Sequence, residues 1–116
     1  MPSPVVHAEI RSKNPDSTRA FFGALFGWTY PNEGAFPGYT FVDTGVPGAL
    51  YTAISPLQGG SDLVTFFVAV DDIDNAVKRA SDLGGQVIQE PQRVPGVAFA
   101  LVADPQGHIV GLTQQG

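Results

Sequence analysis

The sequence predicts an α+β fold built from two βαβββ modules in tandem, within one domain of residues 1–116. Strand-like and helix-like patterns recur in the same order in both halves of the chain. The signals that begin and end helices also recur at matching places. We expect module one at residues 4–55, a linker at 56–62 and module two at 63–115.

The repeat is visible as an alignment of the two halves without a gap, at an offset of 58 residues, half of the 116-residue chain. Nine aligned pairs are identical, against roughly four expected from average residue usage. Aligned positions include two helix-capping residues, Asn14 and Asp72, and two helix-ending glycines, Gly27 and Gly85. Caps and stops have separate physical causes, so their shared register strengthens the case for a repeat.

Module one is expected to begin with a strand over residues 5–11, whose alternation places His7, Glu9 and Arg11 on one face. A helix over residues 15–26 follows, because Asn14 suits the N-cap and Gly27 suits the stop. Its predicted apolar stripe and core aromatics are Thr18, Phe21, Phe22, Leu25 and Phe26. Three more strands are expected over residues 28–30, 39–43 and 50–54.

Module two repeats this order, with a strand over residues 63–70 and a helix over residues 73–83 that is capped by Asp72. Strands are expected over residues 86–89, 97–103 and 109–114. The last two form a hairpin around Asp104-Pro-Gln-Gly107, in which proline presets φ and glycine supplies a positive φ. Capping and the helix dipole account for the acidic cluster of Asp71, Asp72 and Asp74.

Composition excludes several classes of function. The net charge of −5 and the pI near 4.6 disfavour nucleic-acid binding, which normally needs a basic patch. The absence of cysteine removes disulfide and thiolate chemistry. No apolar run is long enough for a membrane span, and the first residues do not form a signal peptide, so a cytoplasmic protein without a membrane partner is expected.

The chain resembles the vicinal oxygen chelate superfamily, which includes glyoxalase I, extradiol dioxygenases and bleomycin-resistance proteins. The resemblance covers essentially the whole chain and rests on three motifs: Asn14-Pro-Asp16 running to Phe22-Gly-Ala-Leu-Phe-Gly-Trp28, Val70-Asp-Asp-Ile-Asp74 with Leu83-Gly-Gly85, and Asp104-Pro-Gln-Gly107. It implies curved mixed sheets around a cleft, the glyoxalase/bleomycin resistance/dioxygenase fold. It also implies pairing into a homodimer.

Metal-dependent members of this superfamily place one ligand on the first strand and one on the last strand of each module. By resemblance, the first-strand places here are His7 and Thr65, and the last-strand places are Ala53 and Gly111. Only His7 binds metals well, whereas divalent-metal sites usually need about three protein ligands. The expected set of metal ligands is therefore none, with a divalent metal cofactor kept as the alternative.

His7 and Glu9 are the candidate catalytic and ligand-binding residues. His7 could bond a substrate or act as a base, or be a quiet relic of the ligand position. Glu9 could act as a base with a raised pKa, or could pair with Arg11. His108 is interpreted as a surface turn residue. The expected ligand-binding walls, alongside His7 and Glu9, are Tyr39, Phe41, Tyr51, Thr65, Phe67 and Phe99; Trp28 and Tyr30 are further aromatic candidates.

Three hypotheses follow for the function. The first is a metal-independent binder of a small apolar or aromatic molecule. The second is an enzyme of lyase, isomerase or dioxygenase type that uses His7 and Glu9, with or without a divalent metal. A third, a regulatory or interaction module, stays open. The sequence does not name the ligand.

Overall fold

The structure, a computed structural model, describes residues 2–31, 39–57 and 62–115. The fold is α+β, as predicted. Its elements are β1 (Val5–Ser12), α1 (Pro15–Phe26), β2 (Thr40–Phe41), β3 (Tyr51–Pro56), β4 (Leu63–Ala69), α2 (Ile73–Asp82), β5 (Gln86–Val94), β6 (Val97–Ala103) and β7 (Ile109–Gln115). Neither of these helices is long and apolar enough to cross a membrane.

The chain divides into two compact units. The first unit is His7–Val64, and the second unit is Thr65–Gly116 together with Met1–Val6. Each contains one helix and a set of paired strands in the order strand, helix, strands. The two units are described separately below.

In the first unit, the sheet order is β2-β3-β1, with β3 parallel to β1 and antiparallel to β2. The predicted caps of α1 are confirmed. The Asn14 side chain accepts a hydrogen bond from the Ser17 backbone N–H, and Gly27 ends the helix at a φ of 75°. A left-handed residue at this position favours glycine, so both ends of α1 are fixed by local sequence.

In the second unit, the sheet order is β4-β7-β6-β5, with β4 and β7 parallel and the remaining pairs antiparallel. Asp72 caps α2 by accepting from the Asn75 backbone N–H, so the acidic residue at this place is explained by capping. The hydrophobic core lies between α2 and the sheet. Its buried residues are Ile73, Val77, Ala98, Ala100 and Leu112.

The parallel strand pairs of the two units share one register. Glu9 pairs with Ala53 in the first unit, and Phe67 pairs with Gly111 in the second. Each residue of one pair lies 58 positions from its counterpart in the other (9 + 58 = 67 and 53 + 58 = 111). The sequence offset therefore describes the local strand pairing in each unit, while superposition of whole halves stays a prediction.

Two strand predictions were wrong in extent. The predicted strand over residues 28–30 is reduced to one bridge between Thr29 and Asp43, and the strand predicted over residues 39–43 is Thr40–Phe41. Conversely, β5 continues to Val94, with irregular register against β6. Short apolar stretches near turns carry a weak period, so their ends depend on pairing that sequence does not show.

The predicted apolar stripe and core aromatics of α1 are confirmed only in part, because Thr18 and Phe22 are half-buried but the other three are not. Phe21, Leu25 and Phe26 are 61%, 58% and 55% exposed, whereas Arg19 is buried at 7%. The helix meets its sheet through the face that carries Arg19, whose guanidinium donates to the Thr40 hydroxyl at 3.2 Å and also pairs with Asp16. Arg19 can be buried while Phe21 and Phe26 stay exposed, because the hydrogen bonds of its guanidinium offset the cost of removing the charge from water.

Candidate functional site

The candidate site is one face of the first unit's sheet. Residues that pair across adjacent strands point their side chains to the same side. His7, Glu9 and Arg11 pair with Tyr51, Ala53 and Ser55, and Phe41 also pairs with Ala53. We call this surface the carboxylate face; its members are His7, Glu9, Arg11, Tyr39, Phe41, Tyr51, Ala53 and Ser55.

Glu9 lies at the centre of the carboxylate face and is 3% exposed. Arg11 Nε donates to Glu9 Oε2 at 2.7 Å, and the Tyr39 hydroxyl donates to Glu9 Oε1 at 3.1 Å. His7 Nε2 lies 3.3 Å from the same Oε1. The alternation of β1 that suggested His7 and Glu9 as neighbours is therefore confirmed, and the pairing of Glu9 with Arg11 is present.

The electrostatics favour an ionised Glu9. Burial by itself raises the pKa of the Glu9 carboxyl, but the hydrogen bonds from His7 and Arg11 and their charges outweigh it, so the pKa lies below 4.5. Of the two interpretations of Glu9, the pairing with Arg11 is therefore present, and the pKa is not raised. Burial, followed by the nearby Glu9 charge, raises the pKa of Tyr39, so the phenol stays a hydrogen-bond donor.

Tyr39 bridges the sheet. It precedes β2, yet its hydroxyl reaches Glu9 on β1, and β3 lies between these two strands. The small side chains of β3 at this place, Ala53 and Ser55, are both 0% exposed. Strands are spaced about 4.8 Å apart, so a tyrosine that spans β3 needs small residues beneath it.

Aromatic rings border the carboxylate. The Tyr39 and Phe41 rings meet edge to face with centroids 5.5 Å apart. Phe41 is 37% exposed and Tyr51 is 73% exposed. Flat rings beside a buried charge suit an aromatic ligand with one polar group. Trp28 contacts Phe22 and Phe26 instead, and the Tyr30 hydroxyl donates to the Arg19 carbonyl.

The predicted ligand-binding residues Thr65, Phe67 and Phe99 belong to the second unit, where they have local partners. Thr65 Oγ1 donates to the Ile109 carbonyl at 2.8 Å. Phe67 is 3% exposed and its ring lies against Gly111. Phe99 is half-buried on β6, paired with Thr113. Their role in ligand binding stays a prediction.

The four places that correspond to metal ligands do not fit a metal. A Cβ at Gly111 would come within 2.4 Å of the Phe67 ring, so that ring fills the space of a ligand side chain. Ala53 offers no donor atom, and the Thr65 hydroxyl is bonded to backbone. Within residues 2–31, 39–57 and 62–115, no three potential metal-binding side chains cluster.

The structure confirms the interpretation of one residue, His108, and adds one site residue, Ser55, that the sequence did not suggest. His108 is exposed, and its Nδ1 lies 2.9 Å from Asp104 Oδ2 in the hairpin turn, which confirms a surface turn residue. Ser55 was missed as a site residue because it directly follows the strand that was predicted to end at residue 54. Its pairing with Arg11 is the signal that identifies it, and strand pairing is not visible in one sequence.

The fold and this site define the class to which the chain belongs. A family model described as "Glyoxalase-like domain" matches residues 7–113. A solved structure described as a glyoxalase/bleomycin resistance protein/dioxygenase superfamily member, from Vibrio splendidus 12B01, has a TM-score of 0.64 at 17% identity, covering 98% of this chain and 100% of that one. The chain thus belongs to the glyoxalase-like domain family, within the vicinal oxygen chelate superfamily.

Curated relatives are similar over most of this chain. A Mycobacterium tuberculosis protein named "Putative glyoxylase CFP32" is 34% identical over 107 residues, which are 87% of this chain and 40% of that protein. The "Anthracycline biosynthesis protein DnrV" of Streptomyces peucetius is 28% identical over 127 residues, covering 93% of this chain and 46% of that protein. The chain thus spans less than half the length of these relatives.

Proposed function

We propose that this chain is a metal-independent binder of a small apolar or aromatic molecule, and that the carboxylate face holds the ligand's polar group. The observation that carries the proposal is Glu9, a buried carboxylate fixed by His7, Arg11 and Tyr39 beside partly exposed rings. A polar group positioned in this way orients a ligand, and apolar walls supply most of its binding free energy.

Binding is favoured over proton transfer by the state of Glu9. An efficient general base has a pKa near the working pH, whereas the hydrogen bonds from His7 and Arg11 outweigh burial and hold the pKa of Glu9 below 4.5. An enzyme of lyase, isomerase or dioxygenase type remains the second candidate, because His7 contacts Glu9 directly and one relative carries the name glyoxylase. That candidate would be supported if the purified protein converted any of a panel of lyase, isomerase and dioxygenase substrates and the His7→Ala variant did not.

Metal content tests the proposal directly. The metal ligand places hold Ala53, Thr65 and Gly111 beside His7, so we expect less than about one tenth of an equivalent of zinc, iron, manganese or nickel per chain. The measurement is elemental analysis after dialysis of protein prepared without a purification tag. About one equivalent of any of these metals would contradict it.

His7→Ala tests the polar end of the site. The probe is 2-naphthol, a fluorescent flat aromatic molecule with one hydroxyl. We expect its dissociation constant to be about three- to tenfold larger for the variant, because one hydrogen bond contributes about 0.5–1.5 kcal/mol. His108→Ala, at the exposed turn, is the matched control and should bind like the parent protein. If both variants bind alike, His7 takes no part in the site.

Two finer proposals rest on the sequence and the family resemblance. We infer a homodimer, since two-module members of the superfamily commonly pair. A cytoplasmic location is inferred from the lack of cysteine in the sequence. Nucleic acid and membranes are not proposed as partners, because the chain carries a net charge of −5.

A further inference from the structure

Ser55 has an unpaired polar atom at the floor of the carboxylate face. The residue is 0% exposed, and its Oγ forms no hydrogen bond with any described group. A buried hydroxyl without a partner lowers the stability of a fold, because it has lost its bonds to water and gained none in exchange. Alanine at this place would avoid that cost, so the hydroxyl calls for an explanation other than folding.

The residues around Ser55 indicate which chemical group could form a hydrogen bond with its hydroxyl. It pairs with Arg11 on β1, and its neighbour in β3 on the same face is Ala53, beside Glu9. The Tyr39 side chain crosses β3 to donate its phenolic hydrogen bond to Glu9. The protein thus places its own phenol on the carboxylate, above the small residues of the floor.

The ionised Glu9 carboxylate can form hydrogen bonds only with groups that donate a hydrogen. Its ion pair with Arg11 is buried on both sides, with both side chains 4% exposed, and an ionised carboxylate has about four acceptor positions and no donor. An anionic group beside it would suffer repulsion and lose hydration, and the chain's net charge of −5 adds to this. A hydroxyl or N–H on an aromatic ring meets neither penalty.

We propose that the ligand of the carboxylate face is an aromatic molecule bearing a hydroxyl or N–H donor, which displaces the Tyr39 phenol from Glu9 and bonds the Ser55 hydroxyl. This inference rests on the proposed binding function and names its ligand class. Ser55 is then a specificity-determining residue, and Tyr39 competes with the ligand for Glu9. Carboxylates and phosphates are excluded as the bonded group.

Three naphthalene probes separate this inference from the binding function itself. The metal-free protein is titrated with 2-naphthol, 2-methoxynaphthalene and 2-naphthoate. We expect 2-naphthol to bind three- to tenfold tighter than its methyl ether, the effect of one hydrogen bond, and 2-naphthoate to bind weakest. Equal binding of 2-naphthol and its ether, or tightest binding of 2-naphthoate, would overturn the donor inference and leave the binder intact. Binding of none of the three would overturn both.

Ser55→Ala and Thr40→Val form a matched pair of buried-hydroxyl deletions. Thr40 is 1% exposed on the opposite face, where its hydroxyl accepts from Arg19. For Ser55→Ala we expect three- to tenfold weaker 2-naphthol binding and a Tm raised by about 2–8 °C, because an unpaired buried group is removed. For Thr40→Val we expect a lower Tm and unchanged binding. Unchanged binding by Ser55→Ala, or a fall in its Tm, would overturn the role of Ser55.

Tyr39→Phe tests the competition. The variant keeps the ring but loses the hydrogen bond to Glu9, so displacement becomes easier. We expect 2-naphthol to bind three- to tenfold tighter than it does to the parent protein. Weaker binding would show that the Tyr39 hydroxyl bonds the ligand itself, and unchanged binding would show that the phenol is not displaced. Either result would overturn the proposed competition.

Discussion

Arg11→Met is expected to lower the free energy of unfolding by about 3–5 kcal/mol, the usual cost of leaving a buried charge without its partner. Arg11 Nε lies 2.7 Å from Glu9 Oε2, and both side chains are 4% exposed. Methionine keeps much of the arginine stem's volume but none of its charge. Urea unfolding at pH 7, monitored by circular dichroism, measures the loss.

The control for Arg11→Met is Arg93→Met. Arg93 and Asp74 also form an ion pair at 2.7 Å, but their side chains are 56% and 66% exposed. Exposed pairs typically contribute about 0–1 kcal/mol, so this variant should unfold almost like the parent protein. Equal losses in the two variants would contradict the view that Glu9 depends on a buried partner.

The pH dependence of the same variants has a defined sign. The folded pKa of Glu9 is below its ordinary value of 4.5, so its contribution to stability is present above that value and is lost as the pH falls through the folded pKa. In Arg11→Met, burial remains while the main opposing charge is gone. The gap between variant and parent should therefore narrow as the pH is lowered from 7 toward 4.

Gly111→Ala is expected to cost about 1–3 kcal/mol, the usual range for overpacking a core. The added Cβ would lie 2.4 Å from Phe67 Cδ2, and Phe67 is only 3% exposed, so the ring has little room to move. Urea unfolding again measures the effect.

A double-mutant cycle with Phe67→Leu isolates this clash. Leucine removes the ring that the new methyl group meets, so Gly111→Ala should cost clearly less in the Phe67→Leu background. The same cost in both backgrounds would show that backbone conformation, rather than the Phe67 ring, excludes a side chain at position 111. The absence of room for a metal-ligand side chain at position 111 would then need another explanation.

Local signals explain what the sequence could predict. The bounds of α1 were predicted from Asn14 and Gly27, and β6 from its apolar run between two turns; both agree with the structure. Caps and turns act over a few residues, and each has its own chemistry. The face shared by His7 and Glu9 followed from strand alternation alone.

Long-range contacts explain what the sequence could not predict. Tyr39 reaches Glu9 across 30 positions of chain, and Arg19 reaches Thr40 across 21. Neither pairing has a local signature, so the sequence did not predict that α1 buries Arg19, and it gave Ser55 no role. The polar core of the site depends on the sheet order β2-β3-β1, which only the structure supplies.

The central claim is that the carboxylate face binds a small aromatic molecule without a metal. The most direct measurement is an amide ¹H–¹⁵N NMR titration of EDTA-treated protein with 2-naphthol. We predict saturable shifts at His7, Glu9, Ala53 and Ser55, with the turn at His108 unmoved. Shifts that appear only after a divalent metal is added, or that leave these four residues unmoved, would contradict the claim.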